Sequence, residues 1–285
     1  MAVKNVQITV LIENSKNGAK SNLQAKHGLS FFITAKIDDD KVTVLMDTGP
    51  SSDALLYNVN ALGVNLEDVN AIALSHGHYD HTGGLIESLK RMKKLVPVIG
   101  HPTLFHPKLS MMPHLRLIGA PFRFSDVESV GGVPILTTDP VKIADGITTT
   151  GEVPRTTSFE TVKGFWTVRN TRFVDDVMLD DQSLVIDVEE KGLVVVAGCA
   201  HSGIINTVKY AQEITGNSRV HAVLGGFHLI RADSKRLQAT VDELAKLDPK
   251  FVGPCHCTGK KAVKKIADAF GDRCRFIHTG DIIEF

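Results

Sequence analysis

The sequence predicts an α/β fold in which two β-sheets pack face to face between outer layers of helices, a four-layer αββα sandwich. Both halves of the chain contain short apolar runs typical of buried strands, and segments with helical periodicity follow them. Two such halves bury their apolar faces when the sheets face each other and the helices cover the outside. At 285 residues the chain can bury a full core, and we expect one domain over residues 1–285.

The amino-terminal half begins with an antiparallel pattern. Three segments alternate polar with apolar side chains and predict strands: residues 6–11, 31–37 and 41–46. The aspartates at 38–40 supply a turn between the last two strands. A helix is expected over residues 53–62, because Ser51 and Ser52 can cap its start and Gly63 would end it.

The rest of the chain repeats a pattern of strands and helices. The predicted strands are residues 71–74, 183–188, 193–197, 221–224 and 251–254. The predicted helices are a segment after residue 82 that runs to about 94, and residues 203–214, 234–247 and 260–270. Residues 189–192 supply the turn of a hairpin. From 97 to 153, Pro and Gly break short apolar runs, which predicts strands with irregular connections.

Residues 155–180 differ from their surroundings, because aromatic and basic side chains occur there with weak periodicity. A loop of this length without clear structure is usually a lid or a disordered link. Trp166, the only tryptophan, and three arginines favour a lid that covers the substrate. The alternative is a peripheral hairpin that packs its aromatic side chains on the core.

Composition limits the partners of this chain. Its 32 basic and 32 acidic residues balance, so no bulk attraction to nucleic acid or membranes is implied, and we expect a small-molecule substrate. No stretch approaches the length of a membrane span, and residues 1–10 alternate in polarity, unlike a signal-peptide core. We therefore expect a cytoplasmic protein. The sequence leaves its oligomeric state open.

The cysteines do not predict disulfides. Three of the four lie in or beside strands that carry candidate metal ligands, whereas a disulfide-rich secreted scaffold is usually smaller. Cys255 and Cys257 are too close in sequence for an unstrained disulfide. We expect reduced thiols, with Cys255, Cys257 and Cys274 as small buried residues.

Residues 75–82 read Ser-His-Gly-His-Tyr-Asp-His-Thr and follow a short apolar run. His76 and His78 are two apart and would point the same way from an extended backbone, while Asp80 and His81 can face elsewhere. Imidazole and carboxylate suit Zn, Mn or Fe. We therefore expect one or two divalent metal ions, most readily Zn, at a strand end, where open α/β folds place their ligands.

The spacing His-x-His-x-Asp-His after a strand resembles the signature of the metallo-β-lactamase-fold superfamily. Five further stretches are similar to its landmarks: residues 46–49, 151–155, 195–201, 224–228 and 254–257. Within the superfamily, Gly-Glu-Val-Pro-Arg, Gly-Cys-Ala-His-Ser-Gly, Gly-Gly-Phe-His-Leu and Cys-His-Cys-Thr-Gly resemble a branch named after a dihydropterin-ribofuranosyl-aminobenzene-phosphate synthase. The resemblance covers nearly the whole chain.

The resemblance implies roles for individual residues. His76 and His78 would bind a first metal, and Asp80 and His81 a second. The further ligands it implies are His201 and His256, and Asp47 would orient the metal loop without touching the metal. His201 has a structural alternative, as a buried or capping histidine. His228 could be a ligand or a substrate hydrogen-bond partner, and the sequence does not separate its role from that of His256.

Two positions depart from the pattern of the superfamily. The chain reads Glu152 where most members have a histidine ligand, and Cys199 stands near the position of an aspartate that bridges two metals. Glu152 could bind metal, act as a base or hydrogen-bond the loop, and His201 could replace the missing ligand. Cys199, like Glu152 and His228, is a candidate for metal or substrate contact. Occupancy by one metal or by two stays open.

The default chemistry of such a site is hydrolysis by metal-activated water. Asp80 is the candidate catalytic residue, because it could accept a proton from water and return it to a leaving group. Arg155 is the candidate phosphate-binding residue, since its guanidinium fits phosphate geometry. In a synthase-like reaction the metal would promote the departure of pyrophosphate. The alternative from another functional class is a metal-binding sensor or a partner-binding module that does not catalyse a reaction.

Overall fold

The computed structural model describes residues 2–20 and 22–285. The strands are β1 Val3–Ile12, β2 Ser30–Ile37, β3 Asp40–Met46, β4 Ala71–Ala73, β5 Val96–Gly100, β6 Leu109–Ser110, β7 Arg116–Leu117, β8 Gly132–Leu136, β9 Lys142–Ala144, β10 Ile147–Thr149, β11 Phe165–Arg169, β12 Arg172–Asp175, β13 Ser183–Val188, β14 Gly192–Ala197, β15 Val220–Gly226, β16 Phe251–Cys255 and β17 Ile282–Glu284. The helices are α1 Ser52–Ala61, α2 Tyr79–Thr82, α3 Leu85–Met92, α4 Phe124–Ser129, α5 Ile204–Thr215, α6 Ser234–Leu247 and α7 Lys260–Phe270, with 3-10 turns at Leu66–Asp68, His256–Thr258 and Gly271–Arg273.

The main strands form one hydrogen-bonded path in the order β16, β15, β14, β13, β1, β2, β3, β4, β5, β8. β1 joins the two halves, because it pairs antiparallel with β2 and meets β13 at Val3 and Val188. On one side of β1, strands β3, β4, β5 and β8 are mutually parallel. On the other side, β14, β15 and β16 are mutually parallel.

The two halves pack face to face. Val44 and Met46 of β3 share one buried cluster with Val194 and Val196 of β14. Because side chains alternate along a strand, Leu45 lies on the opposite face, in a cluster with α1, α3 and α4. Residues of β14 alternate in the same way, and their outward side chains pack against α5, α6 and α7. These three clusters separate four layers, so the predicted αββα sandwich is confirmed. Its two packed sheets are the halves of one hydrogen-bonded sheet that continues through β1.

Most predicted elements are present, with differences at turns. The predicted bounds of α6 and α7 are those observed. Ser51 occupies the position before α1, but its side chain makes no capping hydrogen bond, so that part of the prediction is wrong. α4 was not predicted, because its six residues show too little of the helical period. Among the described residues, no helix is long and apolar enough to cross a membrane.

Residues 155–180 contain a hairpin. β11 and β12 pair antiparallel, and with β6 and β7 they form a separate small sheet. Trp166 and Phe173 stack with ring centroids 6.3 Å apart on this hairpin. Phe165, its first residue, lies instead over buried histidines at the edge of the sandwich. Whether the segment moves as a lid stays a prediction.

Candidate metal centre

The candidate ligands follow the carboxyl ends of strands in both sheets. His76 and His78 come after β4, and Asp80 and His81 lie in the short helix α2. In the other half, three histidines follow β14, β15 and β16 in turn, namely His201, His228 and His256. Parallel strands place their carboxyl ends at one edge of a sheet, and the sandwich brings the edges of both sheets together.

One group of ligand atoms belongs to His76, His78 and His201, whose nitrogens lie within 4.8 Å of one another. His76 Nε2 is 3.0 Å from His78 Nδ1, so the two side chains converge as their spacing predicted. Both ring nitrogens of His201 and Nε2 of His78 are buried without a hydrogen-bond partner. Since buried polar atoms are almost always satisfied, these nitrogens fit the role of ligands to a cation.

A second group lies beside the first and contains Asp80, His81 and His256. His256 Nε2 is 3.2 Å from His81 Nε2 and 3.4 Å from Asp80 Oδ2. His27 reaches the same carboxylate, with its Nε2 3.2 Å from Asp80 Oδ2. The short loop of residues 76–81 therefore contributes to both groups, and its service to two metals stays a prediction.

Sulfur atoms lie next to these groups. Cys199 Sγ is 3.2 Å from His81 Nε2, and it also belongs to a group with His256 and Cys257. A further group joins Cys199, His201 and His228, and the rings of the two histidines are 4.1 Å apart. The structure thus separates the two histidines that the sequence left equivalent, because His256 lies beside Asp80 and His228 beside His201.

Asp47 and Ser75 hold the metal loop from behind. Asp47 is fully buried after β3, and its carboxylate accepts hydrogen bonds from Ser75 N and Oγ at 2.7 Å each. His81 Nδ1 lies 2.6 Å from Asp47 Oδ2, which directs His81 Nε2 into the site. Ser75 Oγ is also 2.9 Å from His76 Nδ1. Such contacts fix the tautomer and orientation of a histidine ligand.

The protonation of the histidines suits metal binding. Burial, together with the positive charge of neighbouring histidines, lowers the pKa of His76 and His201 well below the usual value. Burial also lowers the pKa of His78 to about 3. Burial opposes charge on His81 too, but the carboxylates of Asp47 and Asp80 outweigh it and raise the pKa to about 9. His76, His78 and His201 are therefore neutral at pH 7 and offer lone pairs to a cation, whereas a cation that binds His81 must displace its proton.

Asp80 remains ionised despite its burial. Desolvation alone would raise its pKa, but the charge of His81 and hydrogen bonds with His256 and His27 hold the pKa well below the usual range. The carboxylate faces the cavity and can accept a proton or bind a cation. Hydrogen bonding to Asp80 in turn raises the pKa of His27.

The site backbone adopts a conformation that most residues avoid. Asp47, Ala200, His228 and His256 all have φ between 45° and 58°. Each such residue costs on the order of 1–3 kcal/mol, and glycine would avoid that cost. At three of these positions, Asp47, His228 and His256, the side chain faces the site. The strained backbone therefore occurs where a side chain is needed in the site.

The cluster forms the floor of a cavity of about 710 Å³. Phe165 covers the floor, with its ring centroid 5.1 Å from that of His78 and 5.2 Å from that of His201. Met112 and Ile230 add apolar surface. Four cationic side chains also line the cavity: Arg116, Lys163, Arg231 and Arg236. A ligand here would meet a metal-binding floor, apolar walls and positive charge.

Two predicted site residues lie elsewhere. Glu152 Oε2 is 3.0 Å from His101 Nε2, and Glu152 belongs to none of the five ligand groups found among the described residues. The Arg155 guanidinium donates to the backbone carbonyls of His201, Val177 and Met178, so it holds loops together and does not line the cavity. These contacts do not support Arg155 as a phosphate-binding residue or Glu152 as a ligand, and both roles stay predictions.

Sequence reasoning missed several residues of the site. His27 lies in a loop with no motif that marks it as part of a site, and Cys257 was expected as a small buried residue, yet both line the cavity. The buried carboxylates Asp180 and Asp181 were also missed, although they hydrogen-bond the metal-binding loops. The adjacent pair of aspartates just before β13 was the available signal. Nothing in the sequence indicated which loops they would meet.

The donor set of this structure fits a divalent metal. Buried neutral imidazoles, an ionised carboxylate and thiol sulfur are the ligand types that bind zinc and similar ions. The fold and this cluster define a class of α/β sandwich proteins with a metal-ligating sheet edge. A sequence model of the family described as the metallo-beta-lactamase superfamily matches residues 25–256, and the chain belongs to this superfamily.

Within the superfamily, the chain is similar to two proteins of Methanocaldococcus jannaschii. It is 37% identical to 7,8-dihydropterin-6-methyl-4-(beta-D-ribofuranosyl)-aminobenzene-5'-phosphate synthase, with 99% of this chain and 98% of the relative covered. It is 32% identical to the uncharacterized protein MJ0448, with 97% and 99% covered. The predicted similarity to the synthase branch is therefore confirmed.

Solved structures agree on the fold. Tm1679, described as a metal-dependent hydrolase of the beta-lactamase superfamily, has a TM-score of 0.82 at 28% identity, covering 98% of this chain and 99% of that one. YhfI from Bacillus subtilis, a metallo-beta-lactamase fold protein, has a TM-score of 0.57 at 13% identity, covering 99% of this chain and all of that one.

Proposed function

We propose that this chain is a metal-dependent enzyme that acts on a small phosphorylated substrate. The observation that carries the proposal is the cluster of buried histidine nitrogens without partners at the floor of a cavity lined by cations. The full-length similarity to a synthase whose named product carries a 5'-phosphate supports the same substrate class.

Some residues of the site would bind the metal ions, and others would transfer protons. His76, His78 and His201 would hold one divalent ion, and His81, His256 and Asp80 a second. Such an ion polarises a phosphoryl oxygen and makes water a stronger acid. Asp80 can accept a proton from the attacking group, because its carboxylate is ionised and faces the cavity. His27, whose side chain is 63% exposed, contacts Asp80 and can exchange that proton with solvent.

Group transfer is the reaction that we favour. The relative with 37% identity is named a synthase. The cavity of about 710 Å³ leaves room for two small substrates, because small-molecule pockets span roughly 300–1,000 Å³. A phosphate or pyrophosphate group would leave from one substrate as an amine or aromatic carbon of the other attacks. Hydrolysis is the second candidate, since the similar structure Tm1679 is described as a metal-dependent hydrolase.

The experiment compares two substrates on metal-loaded protein. Release of pyrophosphate from a dihydropterin pyrophosphate should require an arylamine acceptor if the enzyme is a transferase. Release without the acceptor, or turnover of bis(p-nitrophenyl) phosphate, would indicate hydrolysis. Asp80→Asn should lower kcat by at least about 100-fold, the usual effect of losing a general acid–base group.

The metal content of each protein is measured alongside its activity. Asp80→Asn that keeps at least one bound ion and loses turnover supports the catalytic role of Asp80. Asp268→Asn is the matched control, because Asp268 is exposed and lies on α7. If metal-loaded wild type turns over none of these phosphate substrates, the proposed function is wrong and a metal-binding sensor is favoured.

A further inference from the structure

The cations of the cavity lack acidic partners. Some exposed lysines pair with carboxylates, as Lys4 does with Glu189 and Lys90 with Glu87. Within residues 2–20 and 22–285, no carboxylate oxygen lies within 4.0 Å of a side-chain nitrogen of Lys163, Arg231 or Arg236. In a chain whose charges balance overall, unpaired cations at one cavity indicate an anionic ligand.

The arginines keep hydrogen-bond donors free. A guanidinium has five N–H donors. In the described part of the chain, the partner of the Arg231 side chain is Met112 Sδ at 3.2 Å, and a thioether is a weak acceptor. Arg236 donates from Nη1 to Thr161 O at 2.6 Å, while its Nε is buried without a partner. Both side chains can therefore donate hydrogen bonds to further acceptor atoms.

The nearby acids already have other partners. Asp233 lines the cavity, but it caps α6 by accepting a hydrogen bond from Arg236 N at 2.7 Å. The Glu160 carboxylate accepts hydrogen bonds from Ile205 N at 2.9 Å and Asn206 N at 2.8 Å at the start of α5. Neither carboxylate forms a direct ion pair with the arginine side chains, although the charges of Glu160 and Asp233 act on Arg236 at longer range.

Arg231 and Arg236 contact segments next to the small sheet. Arg231 contacts Met112 between β6 and β7, and Arg236 bonds Thr161 just before β11. These contacts bridge the segment between β15 and α6 to the small sheet, while the histidine cluster lies at the strand ends. Met112 and Ile230, which are exposed and apolar, lie beside the cations in the cavity lining.

We propose that Arg231, Arg236 and Lys163 form a phosphate subsite at the mouth of the cavity. It would hold a phosphomonoester on the part of the substrate that does not react, while the reacting group lies at the metal-binding floor. Arg suits this role because its planar fork binds two phosphate oxygens at once, and Lys163 adds a point charge. The inference rests on the proposed function, since it assumes a substrate with a phosphate remote from the reacting bond.

The test is the affinity of the metal-loaded chain for phenyl phosphate, measured by isothermal titration calorimetry. Arg231→Gln and Lys163→Gln change exposed residues, so the fold should be retained. We expect Arg231→Gln to raise Kd about tenfold, as loss of one charged hydrogen-bond partner predicts. Lys163→Gln should raise it at least about threefold. Arg172→Gln, on β12 outside the cavity lining, is the matched control and should leave Kd unchanged.

Three outcomes would overturn the subsite. The first is equal Kd values for Arg231→Gln, Lys163→Gln and Arg172→Gln, with binding lost when a chelator removes the metal, because the metal alone would then hold phosphate. The second is a lower metal content in Arg231→Gln than in wild type, because Arg231 would then act through the metal site. The third is a Kd for benzoate equal to that for phenyl phosphate, because the subsite would then not select phosphate. Turnover of bis(p-nitrophenyl) phosphate, which has no second phosphate, tests the proposed function separately. If wild type turns over bis(p-nitrophenyl) phosphate but Arg231→Gln does not change the Kd for phenyl phosphate, only the subsite is rejected.

Discussion

Asp180 and Asp181 are adjacent in the chain, yet their carboxylates hold different metal-binding loops. Asp180 Oδ2 accepts a hydrogen bond from Gly77 N at 2.8 Å, between His76 and His78. Asp181 Oδ2 accepts one from Ser202 N at 2.9 Å, next to His201. The three histidines of the first ligand group come from these two loops. The aspartate pair therefore fixes the loops relative to each other.

Loss of the Asp180 charge should destabilise the protein. Lys108 is buried, and its Nζ lies 2.6 Å from Asp180 and 3.0 Å from Asp176. Asp180→Asn leaves this buried ammonium with one carboxylate, so we expect the free energy of unfolding in urea to fall by about 3 kcal/mol. Asp268→Asn breaks an exposed pair with Lys264 and should change it by less than about 1 kcal/mol. Equal effects of the two substitutions would contradict the role of Asp180.

His201, and not Glu152, should decide metal content. Both nitrogens of His201 are buried without partners beside His76 and His78, whereas Glu152 pairs with His101. We expect His201→Ala to lose about one equivalent of zinc by elemental analysis, because a typical site needs at least three protein ligands. Glu152→Ala is the control and should keep the wild-type content. A loss of metal in Glu152→Ala alone would show that the loop rearranges around the ion.

Gly198→Ala should disrupt the site without removing a ligand. A Cβ at Gly198 would lie 2.0 Å from Ser75 Oγ and 3.0 Å from Asp47 Oδ2. Ser75 must then move, and its hydrogen bonds to Asp47 and His76 would be lost. We expect weaker zinc binding, in line with the roughly 10- to 100-fold effect of losing groups that orient ligands. Gly18→Ala is the matched control, because its added Cβ meets nothing within 4 Å and Gly18, like Gly198, does not have a positive φ.

Glu160 should make stability depend on pH. Burial raises the pKa of its carboxyl despite hydrogen bonds from Ile205 N and Asn206 N. The folded state then binds more protons than the unfolded state above the ordinary pKa of Glu, so stability falls as pH rises through the raised pKa. The slope from this group is at most about 1.4 kcal/mol per pH unit.

Urea unfolding of wild type and Glu160→Gln between pH 4 and pH 7 measures this slope. The variant has no proton to release at this position, so its free energy of unfolding should decline less with pH. A parallel decline in both proteins would mean that other groups cause the pH dependence.

Local patterns in the sequence determined most of the fold. Period-two alternation in β1, β2 and β3 and helical periodicity in α6 and α7 depend on neighbours in the chain, so they could be interpreted without tertiary contacts. The loop from His76 to His81 was identified for the same reason, since its ligands are a few residues apart. Its order along the chain also indicated how one loop could serve two ligand groups.

Only the tertiary structure decided which distant residues complete the site. The sequence predicts that Arg155 binds phosphate. In the structure, three backbone carbonyl groups from distant loops accept its hydrogen bonds. His27 reads as a surface histidine, yet its loop meets Asp80. Contacts of this kind depend on how two sheets stack and how their edge loops cross. A linear pattern can show that a side chain is able to bind, but packing determines what it meets.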